Sequence, residues 1–352
     1  MRGKYGSAGF WVVDTPFRSG YIEMHLGKGI KSPFVCYSNV AEPTMVKVVV
    51  LSAGTGGRKL IAGFSRIIAP KDLTIIVNTG DDFEHLGLYV SPDLDSILYQ
   101  LSGLLDEARG WGRYNDTFNC LGEVGRLGGE TWFQLGDKDL ALHIIRTALL
   151  KKGLSLTEVT SRFASALGVG SQVLPMSDDK VQTKVVTEKG VLTFNEYYVR
   201  EKCLPSVIDI FYEGSKEAKP GPDVLKEIFG ANLVVIGPSN PIAGIGPILS
   251  IEAIRKALKS CMDKVVVVSP IVCNRAVSGP SERMMQAEGL EVSSLGIARF
   301  YYGMASKIYI HPSDIDLVKI PAELQMKVFA TNILMKGPQD SIRLAKEILK
   351  DV

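Results

Sequence analysis

The sequence predicts an α/β protein, a Rossmann-like open, mostly parallel sheet with a central helical and β insertion. Three observations carry this expectation. Runs rich in β-branched residues recur in both halves of the chain, at 46–51, 73–77, 233–236 and 265–268, and continuous apolar runs of this kind fill strands buried on both faces. Segments with apolar residues at helical spacing alternate with them. Between the two alternating halves lies a stretch that reads first as helical and then as short strands, which fits one sheet interrupted by an insert.

Taken in order, residues 1–44 carry glycine or proline every few positions and no sustained period, so they are expected to form an N-terminal extension. The core is expected over 45–105 and 205–352, with 106–204 inserted. Met45 opens a buried strand that runs directly into Ser52-Ala-Gly-Thr-Gly-Gly. Leu73 to Asn78 is a second buried strand, left by a polar loop containing Asp81 and Asp82. A helix follows over 96–105, with Ser91, Pro92, Asp93 and Asp95 as its entry. Residues 106–170 read as largely helical, and the clearest helix starts at Asp137 and stops at Gly153. Over 172–212, Gln-Val-Leu-Pro, Lys-Val-Val-Thr, Val-Leu-Thr-Phe-Asn-Glu-Tyr-Tyr-Val and Val-Ile-Asp-Ile-Phe-Tyr read as short strands, with a hairpin turn at 188–190. Alternation then resumes: strands at 232–236, 264–268 and 307–310, helices near 250–259, 281–288 and 339–350.

Composition narrows the function classes. The 352 residues are 46% hydrophobic and 22% charged, which excludes a disordered or fibrous chain. A net charge of +2 disfavours a nucleic-acid partner. The five cysteines contain no C-x-x-C pair and read as reduced cytoplasmic thiols rather than a disulfide framework or zinc site. No apolar run reaches the ~18 residues of a membrane span.

The glycine-rich turn at Gly54, Thr55, Gly56 and Gly57 joins a buried strand to a helix, where backbone N–H groups can meet phosphate oxygens. It is neither a Walker A loop nor the dinucleotide G-x-G-x-x-G, so a plain nucleotide-binding oxidoreductase is disfavoured. Asp82 and Asp95 leave strand ends close to it, and clustered carboxylates beside a phosphate loop suit Mg²⁺; Asp93 or Asp95 could equally cap a helix. Ser239 and Asn240, in a proline-flanked turn after the 232–236 strand, offer donors and acceptors to a ligand edge. His143 and Arg146 share a helix face and can point at an anion or serve the fold alone.

Many motifs then occur together in one order: Ser52-Ala-Gly-Thr-Gly-Gly, Asn78-Thr-Gly-Asp-Asp, Ser91-Pro-Asp-Leu-Asp, Gly110-Trp-Gly-Arg, Leu135-Gly-Asp-Lys-Asp, Leu174-Pro-Met-Ser-Asp-Asp, Gly237-Pro-Ser-Asn-Pro-Ile and Ser269-Pro-Ile-Val. In this the chain resembles the 2-phospho-L-lactate transferase family over about residues 45–350. The resemblance implies transfer of a phospholactyl group from lactyl-2-diphospho-5′-guanosine to the deazaflavin Fo, releasing GMP, with Mg²⁺ and as a homodimer. It places Gly54, Thr55, Gly56 and Gly57 by the diphosphate, Ser239 and Asn240 by the guanosine, and Asp95 and Gln134 by Fo. Asp82 and Asp95 become the catalytic and metal-holding carboxylates. Gln134 stands where the family commonly has a basic residue, and Ala53 where it commonly has glycine. A competing reading is a nucleotide-sugar-binding regulator of the same superfamily without transferase activity, whose pattern lacks Gly-Pro-Ser-Asn-Pro-Ile.

Overall fold

The computed structural model describes residues 46–315 and 322–350. The extension expected over residues 1–44 lies outside the described residues. The strand β1 (Val48–Ser52) enters helix α1 (Gly54–Phe64) and returns as β2 (Leu73–Val77). A hairpin of β3 (Phe83–His85) and β4 (Leu88–Val90) leads to α2 (Pro92–Ser102), and then come α3 (Asn119–Arg126), α4 (Asp137–Lys151) and α5 (Leu156–Ala166). Next are β5 (Gln172–Pro175), β6 (Gln182–Thr187), β7 (Gly190–Thr193) and β8 (Val207–Glu213). The second half runs α6 (Val224–Gly230), β9 (Leu233–Ile236), α7 (Gly246–Ser250), α8 (Glu252–Ser260) and β10 (Val265–Val268). It ends with β11 (Ile271–Val272), β12 (Arg275–Ala276), α9 (Ser281–Ala287), α10 (Ser294–Phe300), β13 (Lys307–Ile310), β14 (Lys327–Ala330) and α11 (Pro338–Leu349).

Seven strands form one parallel sheet in the order β14-β13-β10-β9-β1-β2-β5. The expected Rossmann-like α/β class is the one observed. Alternate residues of each strand enter two cores. Val48, Val50, Ile75 and Val235 face α1, α2, α5 and α11, while Val49, Leu51, Ile76 and Val234 face α6, α8, α9 and α10. Burial on both faces is why these strands read as unbroken apolar runs.

Three local readings change. The segment 106–204 does not stand wholly apart from the main sheet, because β5 pairs with β2 and forms its edge, burying Val173 and Leu174 on opposite faces. Helix α2 starts at Pro92, four residues before the expected 96, since proline at the first turn has its φ already set for a helix. The run expected as a strand from Val191 stops at Thr193 and becomes a π-helical turn at Glu196–Arg200. There the Glu196 carboxylate accepts from the Thr193 N–H (2.8 Å) and hydroxyl (3.0 Å), closing the chain on itself. No helix among the described residues is long and apolar enough to cross a membrane.

Strand order reverses at β1. The chain builds outward to β2 and β5 on one side, then returns to β9 and β10 on the other. A crevice therefore opens beyond the carboxyl ends of β1 and β9, the place where open α/β sheets bind ligands.

Candidate active site

That crevice is a cavity of about 760 Å³, lined on one side by Gly54, Thr55 and Gly56 and on another by Ser239 and Asn240. The glycine turn is tight because Gly54 takes φ +57°, a left-handed conformation that side chains disfavour. A Cβ on Gly56 would sit 2.0 Å from the Pro238 carbonyl oxygen, so the two loops touch backbone to backbone. Gly57 packs behind them: its Cβ would fall 2.3 Å from Ser52 Oγ, and the residue does not line the cavity.

Ser239 and Asn240 line the cavity, but their polar atoms are already engaged with protein. Ser239 Oγ donates to the Ala53 carbonyl (2.7 Å) and accepts from the Ala53 N–H (3.2 Å). It clamps the residue that precedes the glycine turn. Asn240 Oδ1 accepts from the N–H groups of Ile242 (2.9 Å) and Ala243 (3.2 Å), which makes it a helix cap.

The acidic residues divide in a way the sequence leaves open. Asp81 lines the cavity, with one carboxylate oxygen buried and unpartnered. Asp82, the expected residue, does not line it. Its Oδ2 accepts from Ser91 Oγ (2.6 Å) and the Tyr89 hydroxyl (3.1 Å), turning the carboxylate into its own loop. Asp93 caps a helix, though not its own: it accepts from the Gly54 N–H (2.8 Å) at the start of α1, and from Asn78 Nδ2 (3.0 Å). Burial pushes the Asp93 carboxyl up to about 6 against those two hydrogen bonds. Asp81 is pushed well above the usual carboxylate range by burial, then by the charges of Asp93 and Asp82. The loop is held from outside by Asn195 Nδ2, which donates to the Asp81 carbonyl (2.6 Å), and by Gln182 Nε2, which donates to that of Asp82 (3.1 Å).

Asp95 lines the cavity and is gripped from behind by α4. Both its oxygens accept from the Arg146 guanidinium, one from Nη1 at 3.1 Å and the other from Nη2. Arg146 Nη1 also lies 3.2 Å from His143 Nδ1. The same Nδ1 lies 3.6 Å from Asp95 Oδ2. Nε2 faces Asp139 Oδ1 at 3.6 Å, and the Tyr99 hydroxyl donates to the same oxygen at 2.5 Å. Asp95, Asp139 and His143 bring potential ligand atoms within 4.8 Å of one another, a group that could hold a metal ion. Burial opposes the Arg146 charge, but Asp95 and Asp82 outweigh it and raise the guanidinium above its ordinary value. The anion that the His143–Arg146 face points at is therefore Asp95.

Gln134 lines the cavity too, exposed, its Nε2 donating to the Thr131 carbonyl at 3.0 Å. Around it the wall is aromatic. Phe133 and Trp111 line the cavity, as do Phe194 and Tyr198, which stack 5.5 Å apart at 12°. Phe194 and Tyr198 come from the run read as a strand, where i and i+4 share a face but stand ~13 Å apart; the turn at Glu196–Arg200 is what brings their rings together. The spacing of Asp139, His143 and Arg146 at i, i+4 and i+7 is the one local signal for the network around Asp95, of which Asp139 and His143 also line the cavity.

Residues 48–333 match the sequence profile of a family described as 2-phospho-L-lactate transferase CofD. The 2-phospho-L-lactate transferase of Methanocaldococcus jannaschii is 42% identical over 86% of this chain and 97% of its own length. Those of Methanococcus maripaludis (40%, over 86% and 98%) and Methanopyrus kandleri (41%, over 87% and 98%) are similarly close. Among solved structures, a Bacillus halodurans protein of the UPF0052 family matches with a TM-score of 0.59 over 86% of this chain and 99% of that one. At 18% identity it shares the fold.

Proposed function

This chain belongs to the 2-phospho-L-lactate transferase family, and from that premise we propose that it transfers the phospholactyl group of lactyl-2-diphospho-5′-guanosine to Fo. A hydroxyl oxygen of the Fo ribityl chain bonds to the phosphorus nearer the lactate. The bond from that phosphorus to the bridging oxygen breaks, GMP leaves and the hydroxyl proton is released. The observation that carries the reading is the start of α1, with Gly54, Thr55 and Gly56 on the cavity beside the carboxylates of Asp81 and Asp93, the latter bonded to the Gly54 N–H. Backbone N–H groups and the helix dipole suit a diphosphate. Lys59, whose Nζ sits on the Met335 carbonyl at 3.0 Å and which also lines the cavity, adds a cation beside them. The aromatic wall suits a flat ring system such as Fo, with Asp95 and Gln134 as its polar contacts.

Asp93 already places negative charge at the helix start, so an incoming diphosphate meets like charge. The residues present fit a hard divalent cation there: two oxygen-donor carboxylates, mutually repelling, one with an unpartnered buried oxygen. Asp81 and Asp93, which both line the cavity, would hold Mg²⁺; of the expected pair, Asp82 does not line the cavity and Asp95 gives both oxygens to Arg146. When bound, the ion neutralises charge that develops on the transferring phosphoryl oxygens. The Asp95–Asp139–His143 group includes an imidazole, which suits softer ions, and the Arg146 cation already pairs with it. Incubation with Fo, the lactyl donor and Mg²⁺ should release GMP, and chelation should stop it. Absence of GMP under saturating substrates refutes the reading.

The raised Asp93 carboxyl gives a pH prediction for the metal-free protein. Its folded value, about 6, lies above the unfolded value of ~3.9. The neutral form is thus favoured by the fold: its stability contribution is complete below pH ~4 and is lost as pH rises through about 6. Between pH 4 and pH 7 the stability difference between Asp93→Asn and wild type should move by ~2–3 kcal/mol in favour of the variant. Urea titrations at the two pH values measure it, and a pH-independent difference would contradict the shift.

A further inference from the structure

We propose that Arg146 is a positioning residue of the transfer, holding the Asp95 carboxylate in one orientation at the cavity wall. The inference rests on the functional reading above, in which Asp95 serves the Fo side. Arg146 does not line the cavity, whereas Asp95 and His143 do, so the guanidinium acts on a ligand only through such neighbours, and Asp95 is the one it grips through both oxygens. It is 1% exposed and bonds both Asp95 oxygens, which removes rotation about the terminal torsion that a single bond would leave.

The guanidinium is itself over-determined. Nη1 reaches His143 Nδ1 at 3.2 Å and the Tyr89 carbonyl at 3.4 Å, and the Phe163 ring centroid lies 5.5 Å from its Cζ. His143 in turn faces Asp139, which the Tyr99 hydroxyl holds. A chain of groups from α2 and α4, of which Tyr99, Asp139 and His143 also line the cavity, thus holds the Asp95 carboxylate. A buried ion pair is a weak source of net stability compared with apolar packing of the same volume. Precise orientation is what this arrangement supplies and apolar packing does not. Lysine carries the same charge but cannot form the planar two-pronged contact.

The test compares Arg146→Lys, Asp95→Asn, their double variant and wild type in GMP release. Val159→Ala, in the α5 core away from the cavity, controls for lost stability. Well below the melting temperature, Arg146→Lys should lower kcat by about 10²-fold, the scale of an ångström-level misplacement, with the donor KM unchanged. In the Asp95→Asn background the same substitution should cost nothing further, because the group it positions is gone. Val159→Ala should lower the melting temperature and leave kcat in place. Wild-type turnover in Arg146→Lys, or losses that multiply in the double variant, would overturn the inference while the transferase reading stands. If the wild type releases no GMP, the functional reading falls and takes the inference with it. Should Arg146→Lys not fold, Asp95→Glu tests the same point. It keeps the charge, moves the carboxylate by one methylene, and must show the same kcat loss at unchanged donor KM.

Discussion

Asp95→Asn should lower turnover by ~10²-fold or more, the scale of losing a preorganised charge at the reacting centre. It should also destabilise the protein by about 3–5 kcal/mol, as expected when one partner of a buried ion pair is removed. The second effect follows from Arg146, which is buried: with Asp95 neutral it keeps carbonyl and imidazole contacts but loses its direct ion pair, and the charges of Asp82 and Asp139 offset it only in part. As a mere cap of α2, Asp95 would tolerate asparagine at little loss of stability or activity. Thermal denaturation and GMP release therefore report on different claims. An unchanged melting temperature would refute the buried pair, and near-wild-type turnover at saturating Mg²⁺ would refute the site.

Gly56→Ala should separate the two loops that form the cavity floor. The added Cβ would lie 2.0 Å from the Pro238 carbonyl oxygen, a backbone atom that cannot rotate away. Either α1 or the Gly237–Asn240 turn must move, and both are fixed: Ser239 Oγ holds Ala53 through two hydrogen bonds. Overpacking of this kind costs ~1–3 kcal/mol. A shift of the helix start by about an ångström should cost ~10²-fold in turnover, with the donor affected more than Fo. Calorimetric titration of each ligand decides it. Equal weakening of Fo and donor would contradict the assignment of the glycine turn to the diphosphate. Alanine at Gly54 is a useful contrast, because nothing lies within 4 Å of its would-be Cβ and only the φ of +57° is strained.

How much of this was legible in the amino-acid order depends on the range of the interaction. Strands buried on both faces need apolar residues at every position, so β1, β2, β9 and β10 announce themselves as continuous runs. Helices α8 and α11 show through their 3.6-residue period, and the glycine turn through the short step from strand to helix. These are local properties, and together they determine the α/β class and the crevice at β1. The ordered motifs added the family.

The direction in which each polar side chain points was decided only by the tertiary structure. Asp81 and Asp82 are neighbours of identical chemistry; Ser91 and Tyr89, brought back by β4, take the second and leave the first on the cavity. Asp93 has a capping residue's composition, but the N–H it caps belongs to α1, 39 residues earlier. Arg146 and Asp95 are separated by 51 residues and meet because α4 packs against the hairpin strand β4 that leads into α2. Each of these outcomes is a choice between partners that only packing brings within hydrogen-bonding distance, and burial then makes the choice binding, since a polar group removed from water must be paired where it stands.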